Sequence, residues 1–371
     1  MAQAYGIVSS TGRHFKVEGL EEYRPIGAFS FLGRYRVIDF PISNLTNSGI
    51  DTIHVYVSQN PRSLADHIGH GAHYNINSKR GSLALMFNQD SKVNPVYNTN
   101  IAAYRAHLDI LEGMRQEYVI LTPGYMVFTQ DFEKLLDEHV ASGADVTMLY
   151  HKVHNAKTAH GSCYVLNINR QKGVKSIERN IGNLDDRNIF MNTYIMKNSL
   201  FIDLIKKATK ISSVYSLIDI LNDLNDELDI RGVQHKGYFA SISDLKSYFD
   251  VNLELLDMKK AEELITSDWP IYTRTTDSCP AHYFAGASVR NSMVANGCLV
   301  EGTVENSVIG RGVEIRKGAV IKNCVILGHC VIGEGVHLEN QVVDKYAKIS
   351  HAKEIIADAE HPGYVNRNDI L

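Results

Sequence analysis

The sequence predicts an α/β domain built on a mostly parallel sheet, followed by a left-handed parallel β-helix of hexapeptide repeats. Three observations carry this reading. Strands alternate with helices over the first part of the chain, a polar, proline-bounded stretch lies near residue 270, and a six-residue periodicity sets in after Tyr283. At 371 residues the chain is long enough for two domains. We place them at 1–265 and 283–371, joined by a linker at 266–282.

Ala4 to Ser9 is short and apolar, as a buried first strand would be, and runs into Ser9-Ser10-Thr11-Gly12-Arg13. A strand-to-turn junction of this kind cradles phosphate when glycines let the backbone approach; here only Gly12 is present. Arg36 to Phe40 reads as a strand start or the approach to a helix, Pro41 to Ser48 as a short helix stopped by Gly49, and Asp51 to Ser58 as a β-branched strand. Ile101 to Gln116 has amphipathic helical spacing, Tyr118 to Thr122 reads as a strand, Asp131 to Ser142 as a helix and Asp145 to His151 as a strand. Ligands in such sheets gather at the carboxyl ends of strands, so the residues just after Ile7, Val57 and Leu121 carry the interest. Ser213 to Leu228 and Leu245 to Lys260 read as further helices, and the linker is signalled by Ser267-Asp268-Trp269-Pro270 and by Thr273 to Pro280.

In the second domain Ile309, Ile315, Ile321 and Leu327 recur every six residues, as do Val313, Ala319, Val325 and Val331, while Ile326, Ile332 and Leu338 continue the step in a shifted phase. A helix of 3.6 residues per turn cannot hold that period on one face. Stacked coils of short strands can, burying one continuous apolar core with glycines relieving the corners. The competing reading is a β-sandwich of short strands.

The 44% hydrophobic and 22% charged residues suit a soluble globular protein, and a net charge of -4 gives no reason to expect nucleic acid as a partner. No stretch approaches the roughly 18 apolar residues of a membrane span and Met1 to Ser9 lacks a signal-peptide pattern, so no membrane partner and a cytoplasmic location are expected. Cys163, Cys279, Cys298, Cys324 and Cys330 contain no Cys-x-x-Cys pair, which predicts reduced thiols and no structural zinc. His67, His70 and His73 are three apart, but Gly69 and Gly71 oppose a regular helix and no carboxylate accompanies them, so no metal is expected there.

One stretch carries a family resemblance. Gly33-Arg34-Tyr35-Arg36-Val37-Ile38-Asp39-Phe40-Pro41-Ile42-Ser43-Asn44, with Asn47-Ser48-Gly49-Ile50 behind it, resembles the Gly-Lys-Tyr-Arg-Leu-Ile-Asp-Phe-x-Leu-Ser-Asn…Asn-Ser-Gly-Ile signature of the glucose-1-phosphate adenylyltransferase (ADP-glucose pyrophosphorylase) family. The resemblance extends over nearly the whole chain and is greatest to the family's GlgD-type companion subunits. It implies a Rossmann-like nucleotidyltransferase domain for residues 1–265. In the family reaction ATP and glucose 1-phosphate give ADP-glucose and pyrophosphate, which requires neutralised phosphates and bound Mg²⁺.

The resemblance also implies that the site is dismantled. The family's Gly-Gly-x-Gly-x-Arg loop corresponds to Ser9-Ser10-Thr11-Gly12-Arg13, and Ile26 stands at the catalytic lysine position. Tyr125 and Ser241 stand where the two metal aspartates belong, with Asp244 three residues on as a possible substitute. Mg²⁺ favours carboxylate oxygens, so no metal and no cofactor are expected on this chain; Mg²⁺ is left to a catalytic partner. The adenine-side loop is altered to Thr99-Asn100-Ile101-Ala102-Ala103 after a retained Tyr97, and the sugar-phosphate side keeps Glu178 and Arg179, ahead of Asn180. Gly12, Tyr97, Glu178 and Arg179 are thus the expected remnant pocket. Arg24 and Arg36 match arginines of the family's effector anion site, where they either bind a phosphorylated effector or brace the domain interface; Tyr23 replaces a basic neighbour there. The resulting expectation is a regulatory subunit that joins a catalytic homologue of the GlgC type in a heterotetramer. The competing functions are an active adenylyltransferase with rearranged metal ligands, and a hexapeptide-repeat acyltransferase suggested by His329 and His337.

Overall fold

The structure, a computed structural model, describes residues 3–12, 15–57, 60–77, 79–87 and 99–371. In chain order the first domain opens with strand β1 (Ala4–Ser9), a hairpin of β2 (Ser30–Phe31) and β3 (Tyr35–Arg36), helix α1 (Asp39–Asn47), β4 (Thr52–Val57), α2 (Arg62–Ile68) and β5 (Ser82–Phe87). Next come α3 (Asn100–Arg105), α4 (Leu108–Glu112), β6 (Tyr118–Pro123), β7 (Met126–Phe128), α5 (Phe132–Ser142) and β8 (Val146–Val153). The domain ends with β9 (Tyr164–Ile168), β10 (Val174–Arg179), β11 (Arg187–Lys197), α6 (Asn198–Ile211), α7 (Leu217–Asp223), β12 (Ile230–Gln234), β13 (Phe239–Ser241), α8 (Leu245–Glu254) and α9 (Met258–Leu264).

The main sheet has the order β10-β9-β11-β6-β1-β4-β5, with β8 pairing β11 and β12. β1 pairs β4 and β6 in parallel, β4 pairs β5 and β12 pairs β8 in the same sense. β11 runs antiparallel to its neighbours β6, β8 and β9. β1 and β6 are buried along nearly their whole length, as strands covered by helices on both faces must be. A register shift between Phe190 and Thr193 makes a bulge in β11, and Asn192 there adopts φ 45°.

Three expected helices are shorter than their apolar patterns suggested, one broken by a backbone departure and two limited by caps. The run from Ile101 to Gln116 breaks into α3 and α4 at His107, whose φ of -123° leaves the helical region. Ser216 and Asp219 form a capping box that starts α7 at Leu217, well inside the expected Ser213 to Leu228 span. Asp244 and Ser247 form another at the start of α8, and Asp257 caps α9, so Leu245 to Lys260 is two helices.

From His282–Tyr283 onward the chain winds into three five-stranded sheets whose strands all pair in parallel with the next coil. This is the left-handed β-helix, and it excludes the β-sandwich. Val300, Ile315, Ile332 and Ile349 are held in register along one wall by successive pairings and form the inner core with Ile309, Ile321, Ile326 and Leu338. Three expected core positions are corrected: Val331 is only half-buried and lies outside the inner core, and two more face the first domain. Val325 and Leu327 are buried outside the coil, with Val308 and Val342, in the core of the first domain. Neighbouring strand residues face opposite sides, so the inward position is Ile326. One line of corners is turned by Asn291, Asn306, Asn323 and Asn340 with φ of 41° to 54°, since asparagine tolerates the left-handed region.

The segment between the domains is clasped by the family signature in α1. Asn44 accepts a hydrogen bond from the Trp269 indole at 2.9 Å, Ser43 Oγ accepts from the Tyr272 backbone N–H at 2.9 Å, and Asn47 donates to the Pro270 carbonyl at 2.9 Å. At the β2–β3 turn Gly33 has φ 68°, and a Cβ there would lie 2.8 Å from the Ile309 carbonyl oxygen. The signature therefore joins the two domains.

Candidate functional site

A cleft opens where the carboxyl ends of β1 and β6 meet the bulge of β11. It is lined by residues that follow Ile7 and Leu121, including Ser9, Gly12, Thr122 and Tyr125, with Asn192 and Tyr164 opposite. The third expected position, just after Val57, falls at 58–59, outside the described residues. Among the described lining residues none is Asp, Glu, Lys, Arg or His.

The turn after β1 bonds to itself. Ser9 Oγ lies 2.8 Å from Thr11 Oγ1 and accepts from the Thr11 backbone N–H at 3.2 Å, so an amide that a phosphate would need is already taken. Gly12 has φ 70°, and a Cβ there would come within 2.8 Å of the Asn100 backbone nitrogen. Ile26 is fully buried and belongs to the apolar core of the domain.

The structure brings together the two positions that the resemblance matches to metal aspartates: β13 pairs antiparallel with β7, setting Ser241 opposite Met126, the neighbour of Tyr125. Tyr125 is buried, its hydroxyl accepts from Asn192 Nδ2, and its ring meets Phe15 edge-on at 5.2 Å. Ser241 Oγ accepts from the Cys163 thiol at 3.4 Å, and burial pushes that thiol up to about 11. Asp244 is the cap of α8 and accepts from the Ser247 backbone N–H at 2.7 Å. At the positions the resemblance gives to Mg²⁺ ligands the chain presents a phenol and a hydroxyl, and this donor set does not fit the ion, which favours anionic oxygen. Among the described residues no group of three or more His, Cys, Asp and Glu could hold a metal.

Among the described residues of the expected remnant pocket, one lines the cleft directly. Gly12 lines the cleft, Tyr97 lies outside the described residues, and neither Glu178 nor Arg179 is among the lining residues. Glu178 accepts from Asn167 Nδ2 and Ser176 Oγ, each at 2.7 Å, and Arg179 bonds to the Tyr164 hydroxyl at the rim. Asn180 is structural: its side-chain amide donates to the Ala156 carbonyl at 2.8 Å.

At the domain interface Arg24 is 3% exposed, and its Nη2 donates to both oxygens of Asp344 at 2.7 and 2.8 Å. Asp344 is fully buried and also accepts from the Tyr364 hydroxyl at 2.8 Å and the Lys345 backbone N–H at 2.6 Å. Arg24 thus braces the interface, and its Nη1 is buried without a partner. Arg36 donates through Nη1 to the Ser63 carbonyl at 2.6 Å, and burial lowers its affinity for its proton. Burial, followed by the nearby Arg36 and Arg24 charges, pushes the Lys345 ammonium down to about 7.

Reading the sequence alone missed the acid at the centre of a second buried network. Asp39 is fully buried and accepts from His67 Nε2 and from the Tyr74 hydroxyl at 2.6 Å each. His67 lies on α2 and His73 beyond it, so the spaced histidines do not share one helix. His329 is exposed at a coil corner and stacks on Tyr346 with centroids 5.4 Å apart, while His337 sits between Glu339 and Glu354.

Comparison with known proteins agrees with this architecture. A nucleotidyl transferase family model matches residues 6–257, and a GlmU-like C-terminal hexapeptide model matches residues 281–364. The chain is 33% identical over 322 residues to the glycogen biosynthesis protein GlgD of Geobacillus stearothermophilus, covering 85% of this chain and 82% of that one. It is 28% identical over 362 residues to GlgD of Bacillus subtilis (strain 168), covering 97% and 94%. It is also 30% identical over 302 residues to the glucose-1-phosphate adenylyltransferase of Geobacillus stearothermophilus, covering 80% and 77%. With its parallel sheet, its β-helix and these relatives, the chain belongs to the nucleotidyl transferase family of the glucose-1-phosphate adenylyltransferases and the GlgD glycogen biosynthesis proteins.

Proposed function

We propose that this chain is a non-catalytic, regulatory subunit in glycogen biosynthesis that joins a catalytic homologue of the GlgC type in a heterotetramer. In that assembly the partner holds Mg²⁺ and makes ADP-glucose from ATP and glucose 1-phosphate, while this chain modulates its rate. One observation supports the reading above all: Tyr125 and Ser241 take the two metal positions side by side on an intact scaffold, so the chemistry is missing where the frame for it remains. The competing reading, an active enzyme with Asp244 as a rearranged ligand, loses support because that carboxylate is committed to capping α8.

A phosphorylated small-molecule effector belongs to the same proposal. Burial and then the nearby Arg36 and Arg24 charges depress Lys345, and Nη1 of Arg24 is buried beside them without a partner, so three cationic side chains cluster where an anion would be held. Titrating the purified chain into a catalytic homologue tests the proposal by light scattering and initial rate. A mixed tetramer with a raised rate or an altered effector response is expected. Two separate species and an unchanged rate would overturn it.

A further inference from the structure

Three histidines gather around one phenylalanine in the first domain. His151 lies in β8, His235 directly follows β12, and His160 lies in the loop 154–163 that leads into β9. The His151 and His160 rings stack on the Phe239 ring of β13, with centroids 5.1 and 5.7 Å away and planes 27° and 26° apart. His151 Nδ1 and His235 Nδ1 face each other at 3.1 Å, and His235 Nε2 lies 3.0 Å from the Thr129 carbonyl oxygen. A carbonyl can only accept, so His235 carries its proton on Nε2 and receives the Nδ1–H of His151 on its own Nδ1. That bond lasts only while His235 is neutral, because a second proton would set two N–H groups face to face.

His160 has φ 61°, a backbone state kept by its surroundings, and Asn180 Nδ2 donates to its carbonyl at 3.1 Å. The carboxylate that acts on its ring, Glu254 of α8, already accepts from Lys260 Nζ at 2.6 Å and from the Tyr238 hydroxyl at 3.3 Å. The loop's other charges, His154 and Lys157, pair at the surface with Asp186 and Asp185. None of these carboxylates is left to neutralise an added proton. Burial pushes His160 and His235 down to about 4 and lowers His151 as well. We propose that His151, His160 and His235 form an acid-released latch on the loop 154–163, closed while all three are neutral and opened when they take up protons. Ser162 of that loop lines the cleft, so opening moves a cleft wall. Because burial lowers the folded values, the closed state is fully favoured above pH 6.5 and loses ground as pH falls toward 4. The latch is independent of the regulatory reading, since it belongs to this chain alone.

Hydrogen exchange of the full chain, corrected for the intrinsic effect of pH, tests the latch through the loop amides, of which Ala159 and Cys163 bond within the loop. Each histidine released should raise the opening constant about twentyfold between pH 7 and pH 5. Exchange in the loop should quicken by that factor or more, while strand β1 exchanges more slowly at both pH values. His160→Asn suits the left-handed backbone and does not titrate in this range, so it should cut the pH response about twentyfold. His235→Gln keeps an N–H for the Thr129 carbonyl and should cut the response too; it serves alone if His160→Asn does not fold. A merely structural role would shift loop exchange equally at both pH values in either variant. That result, a loop indifferent to acid, or one that opens only in step with β1 as in global unfolding, would overturn the inference.

Discussion

The strand-end cleft and the domain interface are two polar regions of one molecule, and they have opposite electrostatics. The cleft of a family built for triphosphates is lined, among its described residues, by neutral side chains only. The interface keeps a fully buried carboxylate, Asp344, bonded to a buried guanidinium, Arg24, with Arg36 and Lys345 beside them. Burying charge is costly unless it is paired, so it persists where it holds or recognises something. The contrast sets a neutral described cleft against a charged joint between the domains, as the proposed loss of catalysis requires.

The largest effect should come from the joint. Arg24→Met leaves Asp344 buried with only the Tyr364 hydroxyl and one backbone N–H, and should cost about 3–5 kcal/mol of stability in a denaturant titration. A loss below about 1 kcal/mol would put the pair in the class of surface bridges and break the contrast. Acid should act next, on two buried histidines of the first domain. Burial pushes His54 and His235 down to about 4 from the usual 6.5. Both are neutral in the folded state, and the unfolded chain binds more protons between these values. Their contribution is therefore complete above pH 6.5 and is lost as pH falls toward 4, on the order of 3 kcal/mol for each. Melting temperatures recorded from pH 7 to pH 4 read this directly.

Rebuilding the metal site is expected to fail as catalysis. Tyr125→Asp with Ser241→Asp puts two carboxylates into buried positions and should destabilise the fold by about 2 kcal/mol. No turnover should return, because Ile26 and the self-bonded Ser9–Thr11 turn remain. Recovery of activity with Mg²⁺ would show that the two ligands were the whole lesion. The smallest effect is at the clasp: Trp269→Phe leaves Asn44 Oδ1 without its indole donor and should cost about 1 kcal/mol.

Much of this was legible in the sequence where the signal is local or periodic. The six-residue step exposed the β-helix, and the signature around Gly33 to Ile50 exposed the family. The reading of Ile26, Tyr125 and Ser241 as substitutions rests on that resemblance. What escaped depends on partners far along the chain. Asp344 is 320 residues from Arg24, and no spacing announces that pairing. Asn192 is an ordinary strand residue until the bulge turns it toward Tyr125. Val325 and Leu327 share the apolar character of the inner core, and only the alternation within each strand sends them outward. The start of α7 at Ser216 did carry a local signal, a capping residue three positions ahead of its partner Asp219, which the longer apolar pattern masked.

The central claim is that this scaffold has given up phosphate chemistry while keeping its joint. Its most direct test is the purified chain alone with ATP, glucose 1-phosphate and Mg²⁺, followed by pyrophosphate release. The account predicts no turnover above a protein-free control; a rate comparable to that of an ordinary glucose-1-phosphate adenylyltransferase would contradict it.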